Sequence, residues 1–298
     1  MTHHDEAPAG ATGRGLRRVR ANSGCEVMAN VRADRVRQVH ALTTRAGRER
    51  AGWFVVEGPQ AVREAVRATH VRLHALYLTE RAAERHPEIV ENADARDLVV
   101  HIGTPEVLVA MSPDAQGVVA VADPVDVSLD RALVTVPRLV AVLAQVRDPG
   151  NAGTVLRAAD AAGADLVVLT QASVDVHNPK TVRASAGSIF HLPVVTGVGL
   201  AETVAALRGL GLTALAAAGD GRFDLDELLD GAAGPGAPDL SAPTAWVFGN
   251  EAWGLADADR AVADAVVRVP VHGKAESLNL ATAAAVCLYA SARAQRRG

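Results

Sequence analysis

The chain has 298 residues, a formal net charge of −4 and an apolar fraction of 49%. This length and apolar content predict two globular domains, and the net charge excludes a uniformly basic nucleic-acid-binding protein. Charged residues interrupt every apolar run before the roughly 18 residues that a membrane span needs, so we expect no membrane segment. Cys25 and Cys287 form no CxxC spacing, which argues against a disulfide framework and against a zinc–cysteine site.

Residues 1–27 contain almost no large apolar side chain, so we predict that they form a disordered tail. The first residues lack the basic-then-apolar order of a secretory signal, which together with the few cysteines predicts a cytoplasmic protein. Residues 1–50 hold ten arginines and five acids. This excess is typical either of a contact with RNA phosphates or of a solvated arginine-rich face. Met28 stands where folded structure is predicted to begin, which leaves open that it is the true start.

Residues 28–122 alternate between helical and extended patterns. Val36, Val39 and Leu42 recur at helical spacing, and the extended run Trp53 to Glu57 ends at Gly58-Pro59. A further helix is predicted at 61–68, and strands at 73–78 and 98–102. These elements predict a small α/β domain.

Residues 123–137 hold two prolines and several acids between apolar strands, a composition typical of an interdomain linker. Beyond it, residues 138–298 alternate between short apolar strands and helical segments, which predicts a parallel sheet covered on both faces. The predicted strands lie at 139–146, 165–170, 192–195, 212–218, 245–248 and 266–271.

A polar turn follows the first of these strands and leads into a helix, from Arg147 to Arg157. In open parallel sheets, ligands bind at the carboxyl ends of the strands, so this turn is a candidate site. Asn151 is either a ligand contact or a cap of the helix. Arg157 lies less than two turns later on an otherwise apolar helix, and we expect it to reach the same ligand.

Two later segments have a similar form. A strand ends in the glycine-framed turn Gly249 to Gly254, where Glu251 is either a functional carboxylate or a solvated acid. The run from Val269 to Asn279 precedes a helix rich in small residues. Ser277 there is a good candidate for the helix cap, and Asn279 is not explained as a cap.

These three segments, in this order, resemble the three motifs of the SpoU (TrmH-like) family of RNA 2'-O-ribose methyltransferases, in the SPOUT superfamily. The resemblance extends from about residue 139 to the end of the chain. Residues 30–122 resemble the family's common L30-like RNA-binding domain. The residues that match the motifs are Asn151, Gly153, Arg157, Gly249, Asn250, Glu251, Gly254, Pro270, Gly273, Ser277, Leu278 and Asn279.

The resemblance implies an α/β fold whose carboxyl-terminal parallel-sheet domain contains a deep trefoil knot and binds S-adenosyl-L-methionine. It also implies a homodimer, for which the helix from Ala281 to Ala292 is a candidate packing element; the alternative is that this helix lies in the core of its own chain. The residues expected to bind the cofactor are Ala217, Gly219, Gly249, Asn250, Val269 and Leu278.

Methyl transfer to a ribose hydroxyl needs an oriented oxygen and stabilisation of its developing charge. A guanidinium is a poor base, so we expect Arg157 to orient the hydroxyl and stabilise the incipient alkoxide. The other expected catalytic residues would position Arg157 and the neighbouring phosphate, and they are Asn151, Glu251, Ser277 and Asn279. The predicted substrate is structured RNA, foremost 23S ribosomal RNA, with transfer RNA as the alternative.

Other functions fit the residues less well. Gly197-Val198-Gly199 suggests a nicotinamide site, but Glu202 stands where glycine or alanine is needed. A non-catalytic RNA-binding or ribosome-assembly factor would not need the intact motif residues. The histidines lack partners at ligand spacing, so no metal site is expected. Many family members have glycine where Ala252 stands, and we expect little effect there. They have a small or polar residue where Trp253 stands, and a tryptophan that narrows the substrate entrance would weaken the transfer of substrate identity from relatives.

Overall fold

The computed structural model describes residues 27–297. The predicted disordered tail therefore lies, except for Val27, outside the described residues. Within residues 27–297, no helix is long and apolar enough to cross a membrane. The same residues contain no cluster of three or more His, Cys, Asp or Glu side chains that could hold a metal ion.

The first domain is a four-stranded mixed sheet with helices on both faces, in the strand order β1-β4-β2-β3. Its strands are β1 (Phe54–Glu57), β2 (Leu73–Leu78), β3 (Val100–Ile102) and β4 (Val118–Ala122). Its helices are α1 (Asp34–Ala41), α2 (Arg45–Ala51), α3 (Pro59–Arg67), α4 (Glu80–Arg85), α5 (Pro87–Asp94) and α6 (Pro105–Met111). The predicted strands and helices are present, with ends shifted by one or two residues.

Local sequence explains where these helices begin. The hydroxyl oxygens of Thr44, Thr79 and Thr104 each accept a hydrogen bond from a backbone N–H in the first turn of the helix that follows. Proline occupies the first helical position of α3, α5 and α6, where its missing N–H costs nothing.

The second domain is an eight-stranded sheet in which all neighbours are parallel, in the order β10-β12-β9-β11-β6-β7-β8-β5. Its strands are β5 (Asp126–Val127), β6 (Leu139–Leu143), β7 (Leu166–Thr170), β8 (Val194–Val198), β9 (Thr213–Ala217), β10 (Phe223–Asp224), β11 (Thr244–Phe248) and β12 (Ala265–Arg268). Its helices are α7 (Leu129–Ala132), α8 (Pro149–Ala162), α9 (Pro179–Ala184), α10 (Leu200–Gly209), α11 (Leu225–Leu229), α12 (Asp257–Ala261) and α13 (Leu280–Gln295).

Both faces of the central strands are buried, as predicted for a parallel sheet. Along β6, Leu139, Ala141 and Leu143 pack into the cluster that contains residues of α8 and α13. The alternate residues Val140 and Val142 pack into the cluster on the other face, with α10. This arrangement explains the continuous apolar runs of the sequence, because a strand covered on both faces has no solvent side.

The α/β fold is confirmed, and the predicted linker contributes to it. Residues 126–127 of that segment form β5, which pairs with β8 at the edge of the large sheet. The Nε2 atom of the buried His177 accepts a hydrogen bond from the backbone N–H of Val125 at 3.1 Å. Burial lowers the pKa of His177, which favours the neutral ring that can accept this bond. The segment between the sheets is thus held against the second domain.

The two domains share one continuous hydrophobic cluster. Phe54 of β1 lies 6.4 Å from Phe190 of the second domain, measured between ring centroids. The buried guanidinium of Arg48 donates to Asp175 at 2.9 and 2.6 Å. Arg183 pairs with Glu57, a carboxylate that is only 2% exposed. These contacts fix the first domain beside the large sheet.

Candidate active site

A cleft of about 600 Å³ opens at the carboxyl ends of β9, β11 and β12. The loops that follow the parallel strands lie next to one another at this edge, which is where ligands bind in open α/β sheets. The cleft is lined by backbone and side chains of Ala217, Ala218, Gly219, Phe248, Gly249, Asn250, Glu251, Gly254, Leu255, Arg260, Arg268, Val269, Pro270, Val271, Glu276, Ser277, Leu278, Leu280 and Ala283. All six residues expected to bind the cofactor are among them.

The turn after β11 forms one wall of this cleft. The backbone groups of Asn250 and Gly254 exchange two hydrogen bonds of 2.9 and 2.8 Å. A Cβ atom on Gly249 would lie 2.3 Å from the carbonyl carbon of Gly254, so any other residue would force the turn open. The Asn250 side chain is buried and donates to the backbone oxygen of Gln145 at 2.8 Å. Asn250 therefore holds the turn against the end of β6.

Other parts of the cleft lining have exposed backbone and apolar side chains. Gly219 follows β9, and a Cβ placed on it would meet no atom within 4 Å, so its backbone borders open space. Leu278 is 37% exposed, and Ser277 beside it is also exposed. A flat apolar ring with polar edges fits between such walls, since they offer both backbone hydrogen bonds and apolar contact.

Three of the predicted catalytic residues meet at the mouth of the cleft. The Nδ2 atom of Asn151 donates to Oε1 of Glu251 at 3.2 Å. The Oδ1 atom of Asn151 accepts from Nδ2 of Asn279 at 3.0 Å. Residues that are 100 and 128 positions apart in sequence are thus linked through a single amide. We call these three side chains the amide–carboxylate network.

The helix caps differ from those considered from the sequence. Asp148 caps α8 by accepting from the backbone N–H of Asn151 at 2.8 Å, so the interpretation of Asn151 as the cap is wrong. That hydrogen bond is the main reason why the pKa of Asp148 is lowered. Asn279 caps α13 by accepting from the backbone N–H groups of Ala281 and Thr282. The expectation that Ser277 is the cap is therefore wrong, and so is the expectation that Asn279 is not a cap. Asn279 both caps α13 and joins the network.

Arg157 lies apart from this network. It is exposed on α8, about 9 Å further along the helix axis than Asn151 and rotated by about 120° from it. It does not line the cleft, and within residues 27–297 it makes no hydrogen bond or ion pair. The structure does not bring Arg157 to the cleft of its own chain, and its catalytic role remains a prediction.

Two features of the site were missed by sequence reasoning. Asp148 could have been found, because an acid followed by proline is a common start of a helix. The second is a contact between Arg147 and Trp253, in which the guanidinium carbon lies 5.1 Å from the ring centroid. Trp253 is 53% exposed beside the cleft. No sequence pattern predicts that contact, because the two residues are brought together only by the turns after β6 and β11.

Comparison with known proteins supports the assignment of these segments. The sequence model of the SpoU rRNA Methylase family matches residues 138–289, and the MRM3-like substrate binding domain matches residues 33–120. The 23S rRNA (uridine(2479)-2'-O)-methyltransferase of Streptomyces viridochromogenes is 33% identical, over 86% of this chain and 88% of that protein. The 23S rRNA (guanosine(2553)-2'-O)-methyltransferase RlmP of Bacillus subtilis is 32% identical, over 86% of this chain and 94% of that protein.

Solved structures agree in fold. The SpoU methyltransferase AviRb of Streptomyces viridochromogenes, in complex with the cofactor AdoMet, has a TM-score of 0.75 and 30% identity, and the match covers 89% of this chain and all of that chain (100%). An AdoMet-bound rRNA methyltransferase from Sinorhizobium meliloti also has a TM-score of 0.75, with 26% identity over 90% of this chain and 97% of that chain.

Proposed function

The chain belongs to the SpoU rRNA methylase family, and on this basis we propose that it transfers a methyl group from S-adenosylmethionine to a ribose 2'-hydroxyl of 23S ribosomal RNA. The observation that carries the proposal is the amide–carboxylate network at the mouth of the cleft. It places three hydrogen-bonding side chains from distant segments beside a pocket lined by backbone, apolar and charged groups.

The cleft suits the proposed cofactor. Val269 and Leu278 offer apolar contact for an adenine ring, and the turns at Gly219 and Gly249 bring backbone groups to its edge. The cleft is also lined by two carboxylates, Glu251 and Glu276, and by two arginines that pair with Asp220 and Asp224. Because those arginines are already paired with acids, the carboxylates favour a cationic ligand such as a sulfonium. S-adenosylmethionine supplies the reactive methyl group when bound.

The protein's own residues then position the acceptor oxygen. In this proposal the amide of Asn151, oriented by Glu251 and Asn279, hydrogen-bonds the ribose or its phosphate at the mouth of the cleft. Ser277 supplies a further donor and acceptor on the facing loop. A fixed arrangement of this kind lowers the barrier, since the hydroxyl oxygen no longer has to find an in-line approach. Arg157 stabilises the charge that develops on the oxygen.

We further propose that the enzyme is a homodimer formed around α8 and α13. The face of α13 that turns away from the sheet carries two large exposed side chains, Val286 at 40% and Tyr289 at 51%. The Tyr289 hydroxyl donates to the carbonyl of Ala161 on α8 at 3.2 Å, so the two helices form one surface. Arg157 is on α8 and outside the cleft of its own chain. A partner subunit bound at this surface would therefore have this Arg157 near its own cleft.

Methylation of an unmodified 23S rRNA transcript tests the proposed activity. Labelled methyl groups should pass from S-adenosylmethionine to the RNA at one ribose, and a 2'-deoxy substitution at the mapped nucleotide should abolish the transfer. Preference for transfer RNA transcripts would replace the proposed substrate by the alternative. Absence of both transfer and S-adenosylmethionine binding would leave a non-catalytic RNA-binding protein.

Mixing two variants of lowered activity tests the dimer. If Arg157 serves the partner's cleft, Arg157→Ala and Glu251→Ala proteins that are unfolded and refolded together should regain part of the activity. Each variant refolded alone is the control. No regain, with dimers present, would show that Arg157 does not act in the partner's cleft.

A further inference from the structure

A second cavity, of about 790 Å³, lies on the first domain between α1 and the sheet. We call it the amino-terminal groove, and the residues that matter for its chemistry are Arg35, Arg37, Arg50, Trp53, His74 and His101. It is separate from the cleft described above and shares no residue with it.

Positive charge dominates this groove. Among the described residues that line it, Asp34 is the one carboxylate, and it is paired with Arg37. Arg35 and Arg50 are exposed, and within residues 27–297 neither pairs with an acid. The Nη1 atom of Arg35 instead lies 3.4 Å from Nε2 of His101. Burial, followed by the nearby Arg35 charge, lowers the pKa of that ring, so His101 does not compete for anions as a second cation at neutral pH.

The groove also presents aromatic rings. Trp53 is 41% exposed, and its ring lies 4.3 Å from the ring of His74 with an angle of 30° between the planes. The Nε2 atom of His74 is held by Asp123 at 2.5 Å, which fixes the ring that supports the indole. Tyr77 and His101 form a second ring pair with centroids 5.3 Å apart. An exposed indole backed by an anchored ring is a rigid stacking platform.

Arginines without acid partners beside an exposed aromatic ring favour single-stranded nucleic acid. Phosphates bind the arginines, and an unpaired base stacks on the indole. A duplex would offer phosphates but no free base face, and an acidic peptide would offer charge but no flat ring. The same indole lines the cavity between the two domains, so a strand in the groove leads towards the second domain.

We propose that the amino-terminal groove binds an unpaired nucleotide of the RNA substrate, with its base on Trp53 and the flanking phosphates on Arg35 and Arg50. The identity of this RNA as the methylation substrate rests on the proposed function, whereas binding in the groove does not. The groove selects the RNA, and the cleft modifies it.

The test measures binding of a fluorescein-labelled single-stranded RNA oligonucleotide to the full chain, by anisotropy over a range of salt concentrations. Arg35→Ala and Arg50→Ala should each weaken binding and reduce the slope of log K against log salt by about 0.7. Trp53→Ala should weaken binding roughly 5-fold to 100-fold with little change in slope, and Trp53→Phe should restore part of the loss. Arg81→Ala is the matched control, since Arg81 is exposed on α4 outside the groove.

Substitutions at exposed positions of this kind change stability little, so the variants should remain folded. Thermal unfolding of each variant checks this. Unchanged affinity in all three groove variants, or equal binding of a fully paired RNA, would overturn the proposal. Displacement of the RNA by poly-glutamate, together with no effect of Trp53→Ala, would also overturn it. Groove-dependent binding without methylation of 23S rRNA would refute the proposed function and leave the groove standing. Methylation of 23S rRNA, with RNA affinity unchanged in the groove variants, would support the proposed function and refute RNA binding in the groove.

Discussion

Polar side chains at the carboxyl ends of the eight-stranded sheet bond to one another, whereas two exposed arginines over the four-stranded sheet pair with no acid among residues 27–297. Asn151 is engaged on both sides of its amide, by Glu251 and by Asn279. In the amino-terminal groove, Arg35 and Arg50 have no carboxylate partner within the part of the chain that the structure describes. A reacting oxygen needs groups that are already oriented, so a site whose polar side chains hydrogen-bond to one another suits catalysis. Phosphates need charge that is still available, so unpaired arginines suit recognition.

The largest effect is expected where the two regions are joined. Asp175→Ala removes the carboxylate that pairs with Arg48, whose side chain is only 6% exposed. An unpaired buried guanidinium should cost roughly 3–5 kcal/mol of unfolding free energy. Chemical denaturation measures it, with Arg45→Ala as the control, because the Arg45–Glu49 pair is exposed and worth at most about 1 kcal/mol. A similar small loss in both variants would mean that the domains do not depend on this ion pair.

Substitution of Arg157 separates chemistry from cofactor binding. Arg157→Ala should lower the single-turnover methylation rate about a hundred-fold to a thousand-fold, because it removes a charge that stabilises the transition state. Calorimetry should find nearly unchanged affinity for S-adenosylmethionine, since Arg157 does not line the cleft. Arg157→Lys should rescue poorly because the ammonium lacks the planar fork. Arg131→Ala, at an exposed position on α7, is the charge-matched control, and near-normal turnover in Arg157→Ala would remove Arg157 from the mechanism.

The amide–carboxylate network should respond to loss of charge alone. Glu251→Gln keeps the shape of the side chain but replaces a charge-assisted hydrogen bond to Asn151 by a neutral one. The difference of about 1 kcal/mol should lower kcat roughly 5-fold. Glu251→Ala, which leaves Asn151 without this partner, should lower kcat further. Equal kcat in the wild-type and glutamine proteins would show that the carboxylate charge is not used for orientation.

The smallest effect concerns a histidine that bridges the domains. Burial lowers the pKa of His191, but hydrogen bonds and charge attraction from Asp160 and Glu64 outweigh it, and the net pKa is raised. A raised pKa in the folded state stabilises the protein below the unfolded pKa, and this contribution is lost as pH rises through the folded value. His191→Gln should therefore cost more stability at about pH 5.5 than at about pH 8.5.

Because His191 is 40% exposed, solvent screening should keep this cost below about 1 kcal/mol. Urea midpoints of the wild-type and His191→Gln proteins at the two pH values provide the measurement. A difference between the proteins that is the same at both pH values, or larger at alkaline pH, would contradict the proposed charge on His191.

Much of the fold could be predicted from local patterns. The run at 139–146 is apolar apart from Gln145 and the run at 245–248 is apolar throughout, which indicates strands buried on both faces, and β6 and β11 are such strands. Glycine at position 249 was correctly singled out, because its turn leaves no room for a side chain. The six residues that the family resemblance assigns to the cofactor lie along one cleft, and Gly219, Gly249 and Val269 do so because they follow neighbouring strands of one parallel sheet.

The assignment of polar roles depended on tertiary structure. Asp148, Asn151, Ser277 and Asn279 are all suitable caps by type, and a local pattern cannot decide which of them turns its side chain to its own helix. The fold decides it, because Asn151 meets Glu251 and Asn279 across loops that are far apart in sequence.

The sequence by itself determined the elements, their burial and the turns that must contain glycine, since these follow from side-chain size, polarity and backbone freedom over a few residues. Only the tertiary structure decided the pairing of distant side chains. It brought Arg48 to Asp175, 127 positions away, and set Trp53 on His74 in the amino-terminal groove. Such contacts depend on how two sheets are placed in space, and no local propensity carries that information.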